Sequence, residues 1–323
     1  MTELIVEQAA AQMLVVDRGR FGHRHEGIPW CGPADALAFD IANVLLCNPP
    51  DCAGLEVMLG GTRIRFGSTV TFAITGADCD AALNGRRCAN WAKHVAPEGS
   101  VLQLRPPSRS VYAYVAVSGG IDVPLVLGSR TTDVAASFGG FAGRTLREGD
   151  RVAIGTAICP AGASFAIAPP QLNLHAGAQS DGVTVLRAIA GGEIERFDER
   201  SRTQLWEERW SVGYQSNRMG YRLHGGALQY VGEQLPSHGV FPGVIQVPPS
   251  GEPIVLLADA HTTGGYPKVG VVIENDLPLL AQRRPGELVR FRPVTVDDAH
   301  RAAEAQRQYV QAIRALALER SGR

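Results

Sequence analysis

The chain has 323 residues, 45% hydrophobic and 20% charged, with a formal net charge of −1 at neutral pH; this composition belongs to an ordinary globular protein long enough for two domains. Its arginines are dispersed among acidic residues without a basic stripe, which removes the electrostatic case for nucleic acid. No apolar run reaches the roughly 18 residues of a membrane span, and the start, MTELIVEQAAAQ, lacks the basic and long apolar regions of a signal peptide, so the expected location is cytoplasmic.

Along the chain, short apolar runs dominate: MLVVD, TRIRF, VTFAIT, VLQLR, VYAYVAV and RVAIG, then TVLRAIA, VIQVP, PIVLLAD, KVGVVI and LVRFRPV. All are separated by Gly, Pro, Asn or Asp turns, a spacing that predicts a mainly β protein of sandwiches or barrels. Two helices stand out within it. Residues 34–47, ADALAFDIANVLLC, follow Gly32-Pro33 and stop at Asn48-Pro49-Pro50, which brackets a helix. The second runs from Val296 to about Arg320, opened by Thr295 and Asp298 in a capping arrangement, and its thin apolar side predicts an appendage or a fraying element. LREGDRVAIG at 146–155, RRPGELVRF at 283–291 and, more loosely, VAPEGSVLQL at 95–104 share a turn-Gly-acid-Val pattern, each a turn feeding a strand. The first and last of these are expected to close the two halves. The expected organisation is a β-barrel-like domain over 1–160, a Pro/Ala/Gly-rich linker or crossing over 161–182, a second β barrel over 183–293 and a terminal helix over 294–323.

The six cysteines (Cys31, Cys47, Cys52, Cys79, Cys88, Cys159) lie in or beside apolar segments without C-x-x-C or zinc-site spacing, and read as reduced thiols of the core or its edge. His23 and His25 alternate as on one face of a strand, but no third ligand lies near them. No metal site is expected.

Four polar segments flanked by Gly or Pro are places where strand-end loops build a site. The first is 17–35, DRGRFGHRHEGIPWCGPAD, whose ordinary reading is a loop tying down the first helix. The second is Thr75-Gly76-Ala77-Asp78, which also reads as a strand-end Asx turn. The third, YQSNRMGYR at 214–222, places Arg218 and Arg222 four apart on a β pattern, so both would face one side and suit a carboxylate or phosphate, or else bridge Glu207 or Glu208. The fourth is IVLLADAHTTGGYPKVG at 254–270. There a carboxylate, two hydroxyls, the amides of Gly264-Gly265 at positive φ and Lys268 would converge on one ligand; the alternative is a hairpin loop with its lysine in water. Only two of the 31 basic residues are lysines, so retention of Lys268 suggests that a compact ammonium is wanted there, whereas Lys93 reads as solvated. The chain has no G-x-x-x-x-G-K-[ST], no G-x-S-x-G and no methionine-flanked lysine on a hairpin for attached biotin.

Taken together, DRGRFGHRHEGIP, CGPADALAFDIAN, LEVMLGGTRIRF, TGAD, VSGGIDVPLVLGSRTTD, FGGFAGRTLREGD, QSNRMGYRL, GVFPGVIQVPPSGEPIVLLAD and TTGGYPKV make the chain similar to the allophanate-hydrolase subunit 2, or biotin-dependent carboxyltransferase, family. Cys31 and His261 stand where that family usually has Ser and Gln. The resemblance implies two cyclophilin-like β-barrel domains with a few helices. It also implies membership of a heteromeric, ATP-dependent complex of the 5-oxoprolinase type, in which this chain is the C component. The partners would be an allophanate-hydrolase subunit 1-like protein (the B component) and a lactam-utilisation protein (the A component); ATP would be used by the complex, with no covalent biotin on this chain. Alternatives within the family are the carboxyltransferase component of a urea carboxylase system and a regulatory antagonist of a kinase-inhibitor protein. The expected catalytic residues are Asp259, Lys268 and Arg218. Those expected to bind substrate are Asp78, Gln215, Asn217, Tyr221, Arg222, Gln246, Thr262, Thr263, Gly264, Gly265 and Tyr266.

Overall fold

Every one of these apolar runs forms a strand in the computed structural model, which describes residues 2–157, 164–170 and 182–322. The chain is mainly β and divides into two compact units, with few helices. The described residues of Met1–Phe21, Cys31–Pro169 and Arg307–Arg323 form the first unit, and those of Gly22–Trp30 and Pro170–Gln306 the second. The early segment Gly22–Trp30 therefore belongs with the later part of the chain. Much of the crossing expected over 161–182, and Cys159, lies outside the described residues. No described helix is long and apolar enough to cross a membrane.

The first unit contains two six-stranded sheets. One runs in the order Arg151–Ala153, Glu3–Gln8, Thr62–Phe66, Val101–Leu104, Ala82–Leu83, Arg86–Arg87; the other Phe165–Ala166, Ala92–Ala96, Val70–Gly76, Tyr112–Val117, Gly54–Met58, Gln12–Val16. Their apolar faces share one core, where Phe66 and Phe72 stack at 5.1 Å between ring centroids. Helix α1 (Ala36–Leu45) begins two residues later than the apolar pattern suggested, because Ala34 and Asp35 form its cap. The Asp35 carboxylate accepts from Ala38 N at 2.9 Å, Ala34 N donates to buried Glu56 at 2.8 Å, and Asp35 N donates to the Tyr114 hydroxyl at 2.7 Å. That hydroxyl donates in turn to Glu56, and burial beside this carboxylate raises its pKa well above the usual tyrosine value. The five described cysteines are free thiols.

In the second unit seven strands close a barrel in the order Val183–Ala190, Lys268–Val272, Val244–Gln246, Ile254–Leu256, Gly220–His224, Trp210–Val212, Leu288–Pro293. The last strand returns to the first by parallel pairing, so the RRPGELVRF segment does close this unit. Gly99, Gly149 and Gly286, the glycines of the three echoing turns, all have positive φ (77°, 88° and 87°), the backbone condition that the repeated pattern encodes. Two helices here were not evident in the sequence. Helix α2 (Glu199–Glu207), capped by the Asp198 carboxylate on Ser201 N at 2.7 Å, buries only Ser201 and Leu205, and helix α3 (Leu277–Ala281) is a single short turn.

Helix α4 (Val296–Arg320) forms over the length expected from its sequence. Thr295 and Asp298 cap it reciprocally: Thr295 N donates to the Asp298 carboxylate at 2.9 Å and Asp298 N to the Thr295 hydroxyl at 3.1 Å. These bonds lower the Asp298 pKa to about 2. Because the folded pKa lies below the ordinary value, the cap's contribution is present above about pH 4 and is lost as pH falls through about 2. Amide exchange in the first turn of α4 is expected to quicken over that window, and Asp298→Asn to weaken the dependence.

Lys93 corrects the sequence reading. It is 1% exposed, and its Nζ donates at 3.3 Å to the hydroxyl of Ser321, just beyond the end of α4. Carbonyl dipoles at a helix C-terminus favour a cation, which explains how an ammonium is accommodated there. Lys93→Ala is expected to lower unfolding stability by about 2 to 4 kcal/mol in denaturant titrations, as truncation of other large buried side chains does.

Candidate functional site

The second unit carries a cleft of about 870 Å³. Its walls are the segment from Arg24 to Trp30, the stretch Gly239, Val240 and Phe241, and the pair Thr262 and Thr263. The short ribbon formed by His238–Gly239 and Thr263–Gly264 builds two of these walls at once, pairing Gly239 with Thr263 and His238 with Gly264.

Arg24 supplies the cation of the cleft. A 3-10 turn, Arg24–Glu26, ends at Gly27 with φ 84°, and this turn presents the guanidinium inward. One nitrogen, Nη2, donates to the carbonyl oxygens of Val240 and, at 3.1 Å, of His261, and the group lies 5.1 Å from the Trp30 ring centroid. Its Nη1 is buried with no hydrogen-bond partner among the described residues, and burial lowers the Arg24 pKa. An unsatisfied buried donor costs about 1–3 kcal/mol, and at this depth a ligand oxygen reaches it only if the guanidinium shifts. Phe241, 46% exposed, and Trp30 add flat apolar surface, while Thr262 and Thr263 bring hydroxyls. His25 and the Glu26 carboxylate complete the polar lining, so the cleft offers one guanidinium, one carboxylate, two hydroxyls and two aromatic rings to a small, flat, polar ligand.

Of the residues expected in the site, Thr262 and Thr263 line the cleft. The expected catalytic pair is instead paired with itself. Arg218 Nε and Nη2 donate to the two oxygens of Asp259 at 2.9 and 2.8 Å, and Asp259 N donates to Arg218 O at 3.0 Å. These bonds pin the turn before strand Gly220–His224 to the turn after Ile254–Leu256, with Arg218 only 4% exposed. Arg222 is exposed on the strand while Arg218 is buried ahead of it, so the two do not share a face. Tyr221 is core, its hydroxyl donating to Ala281 O at 2.7 Å. Gln215 and Asn217 are exposed, and the Asn217 carboxamide caps Met219 N at 2.8 Å. Asp78 belongs to the first unit, where it makes an Asx turn onto Asp80 N at 3.0 Å. His23 and His25 flank Arg24 on the 3-10 turn rather than on a strand; His23 pairs with Glu26 at 2.8 Å.

Lys268, partly buried, turns back on its own loop. Its Nζ donates to Tyr266 O at 2.9 Å and Gly264 O at 3.2 Å, and lies 3.4 Å from His238 Nδ1. Burial lowers its pKa, partly offset by Glu193. Tyr266 is exposed. Neither Gly264 nor Gly265 has the positive φ expected of it. Gly264 packs against the end of buried Gln246: a Cβ there would sit 2.7 Å from Nε2, a nitrogen with no partner among the described residues, and would make that carboxamide shift.

The family Carboxyltransferase domain, subdomain A and B, matches residues 26–293. The chain belongs to that family. It is 38% identical to the C component of the Escherichia coli 5-oxoprolinase, over 95% of this chain and 96% of that protein, and 34% identical to the C component of the Haemophilus influenzae 5-oxoprolinase with the same coverage. Urea amidolyase of Lachancea kluyveri is 30% identical over 89% of this chain, which spans only 17% of that protein. The crystal structure of K. lactis urea amidolyase superimposes with a TM-score of 0.87 at 26% identity, covering 96% of this chain and 20% of that one.

The family match starts at Glu26 and so includes most of the segment that carries Trp30; the sequence marked 17–35 as one of four candidate loops but did not single out Arg24 or Trp30 within it, and it did not mark Phe241. The signal available was the concentration of polar residues around Gly22 and Gly27, which reads equally well as a connecting loop. Asp259→Asn is expected to destabilise the fold by about 3 kcal/mol, because the buried Arg218 guanidinium loses its carboxylate. Exposed Arg222→Ala is expected to change stability by no more than about 0.5 kcal/mol in the same denaturant assay.

Proposed function

We propose that the chain is the C component of an ATP-dependent 5-oxoprolinase complex, opening the 5-oxoproline lactam to L-glutamate together with partner proteins in the cytoplasm. The observation that carries this reading is mutual coverage. The 5-oxoprolinase components match nearly end to end at 38% and 34% identity, whereas this chain corresponds to about a sixth of the urea amidolyases. The cleft chemistry supports it. 5-Oxoproline is a flat five-membered lactam bearing one carboxylate; in this reading Trp30 and Phe241 take the ring faces, Arg24 takes the carboxylate, and the Thr262 and Thr263 hydroxyls donate to the lactam carbonyl.

ATP enters through a partner protein, since this sequence has no P-loop and the cleft holds a single arginine among its lining residues. The partners proposed are an allophanate-hydrolase subunit 1-like protein and a lactam-utilisation protein. The second reading, a carboxyltransferase component acting on urea with a separately biotinylated protein, draws on the urea amidolyase relatives and predicts turnover of urea instead.

Purified alone with ATP, the chain is expected to leave 5-oxoproline intact, and the reconstituted complex to yield glutamate. In that complex Arg24→Gln is expected to raise KM for 5-oxoproline at least about tenfold, the equivalent of one lost charge-assisted hydrogen bond. An unchanged KM, or full activity of the isolated chain, would show the reading to be wrong.

A further inference from the structure

A second polar cluster lies on the ribbon that walls the cleft, and none of its three members has a role in the site just described. Glu193, which leads the 3-10 turn Ile194–Arg196, accepts the backbone N–H of Lys268 at 2.6 Å through Oε2 and contacts His238 Nε2 at 3.2 Å through Oε1. His238 Nδ1 faces two groups of opposite character, the Pro236 carbonyl oxygen at 3.0 Å and Lys268 Nζ at 3.4 Å. The Lys268 ammonium in turn holds the carbonyls of Gly264 and Tyr266. Each contact ends on the ribbon His238–Gly239 and Thr263–Gly264 or on the loop that follows it, and Gly239 and Thr263 are cleft residues.

We infer that Glu193, His238 and Lys268 are positioning residues for the cleft, locking its ribbon in place through a contact that depends on the protonation of His238. Hydrogen-bond accounting carries the argument. With Glu193 accepting from Nε2–H, the neutral ring has a bare Nδ1. That nitrogen accepts from the Lys268 ammonium, while the Pro236 oxygen stands against it with nothing to receive. When Nδ1 takes up a proton the relation reverses: Nδ1–H donates to Pro236 O, and two cations face each other across 3.4 Å. Both states find an acceptor or a donor, so neither is forbidden, but only the neutral state ties His238 to the lysine that holds Gly264 and Tyr266. Among the described residues the charged groups in contact with His238 are Glu193 and Lys268, and Arg196 acts on Glu193 from the turn it leads. His238 is 41% exposed, so a proton reaches it from solvent.

The bearing on turnover rests on the proposed function; the lock itself does not, and the test separates them. With only two lysines in the chain, lysine-selective 15N labelling gives two side-chain signals, read beside the amides of Thr263 and Gly264 in the uniformly labelled full chain. Over a pH series from 8 to about 5, the Lys268 signal and both amides are expected to move together with the His238 ring signals. In His238→Gln those movements vanish. Glu193→Gln, which turns an amide N–H toward Nε2 and forces the proton to Nδ1, is expected to hold the ribbon in its low-pH state even at pH 8. Amides of Thr263 and Gly264 that ignore the His238 titration in the native chain would overturn the inference, whether or not the variants fold. In the reconstituted complex KM for 5-oxoproline is expected to rise about fivefold or more over the same range, and to be flat in His238→Gln. If the NMR response is present and KM is flat in the native complex, the lock stands and the assignment of this cleft to 5-oxoproline fails.

Discussion

The Arg24 guanidinium is shared between carbonyl oxygens of residues 216 and 237 positions further along the chain, Val240 and His261. That group ties the early segment Gly22–Trp30 to the second unit, and it holds two walls of the cleft against a third. The same contacts leave one nitrogen of the guanidinium buried and unpartnered among the described residues. The group is thus a structural clamp with one donor left unused. Burial depresses its pKa in the direction expected of a desolvated cation, and a bound carboxylate would relieve that condition.

The other cations near the cleft already have hydrogen-bond partners within the protein. Arg218 is locked to Asp259 in a bidentate pair, and Lys268 gives hydrogens to two carbonyls and faces His238. A guanidinium with 4% exposure that gives two hydrogen bonds to one carboxylate holds two turns together. Polar density in a loop therefore overstates how many charges a ligand meets, because folding consumes most of them. Arg24, like Lys268, has backbone carbonyls as acceptors, which leave its charge uncompensated, but of the two only Arg24 lines the cleft.

The strands and the mainly β class were legible because alternating or continuous apolar runs bounded by turn residues have few other ways to bury themselves, and MLVVD, VTFAIT, VYAYVAV and LVRFRPV all became strands. Trp210–Val212 escaped notice: three residues long, it carries too short a period to register, and its place is fixed by barrel neighbours. Helix α2 was hidden for a related reason, since ERSRTQLWE buries only Ser201 and Leu205 and is held by its cap more than by an apolar stripe. Lys93 was misread because a lone lysine in a strand gives no sign of its depth, and its partner, Ser321, lies 228 positions away. For the cleft, the TTGGYPK loop announced Thr262 and Thr263, but which of its charges remain available depends on Glu193 and His238, neighbours that only the fold brings together.

The account stands or falls on where the lactam binds. A crystal structure of the chain with 5-oxoproline is predicted to place the ring between Trp30 and Phe241, with its carboxylate on Arg24 and its amide oxygen toward Thr262 and Thr263. Density for the ligand elsewhere on the chain, with the Arg24 cleft holding only water at saturating 5-oxoproline, would contradict it.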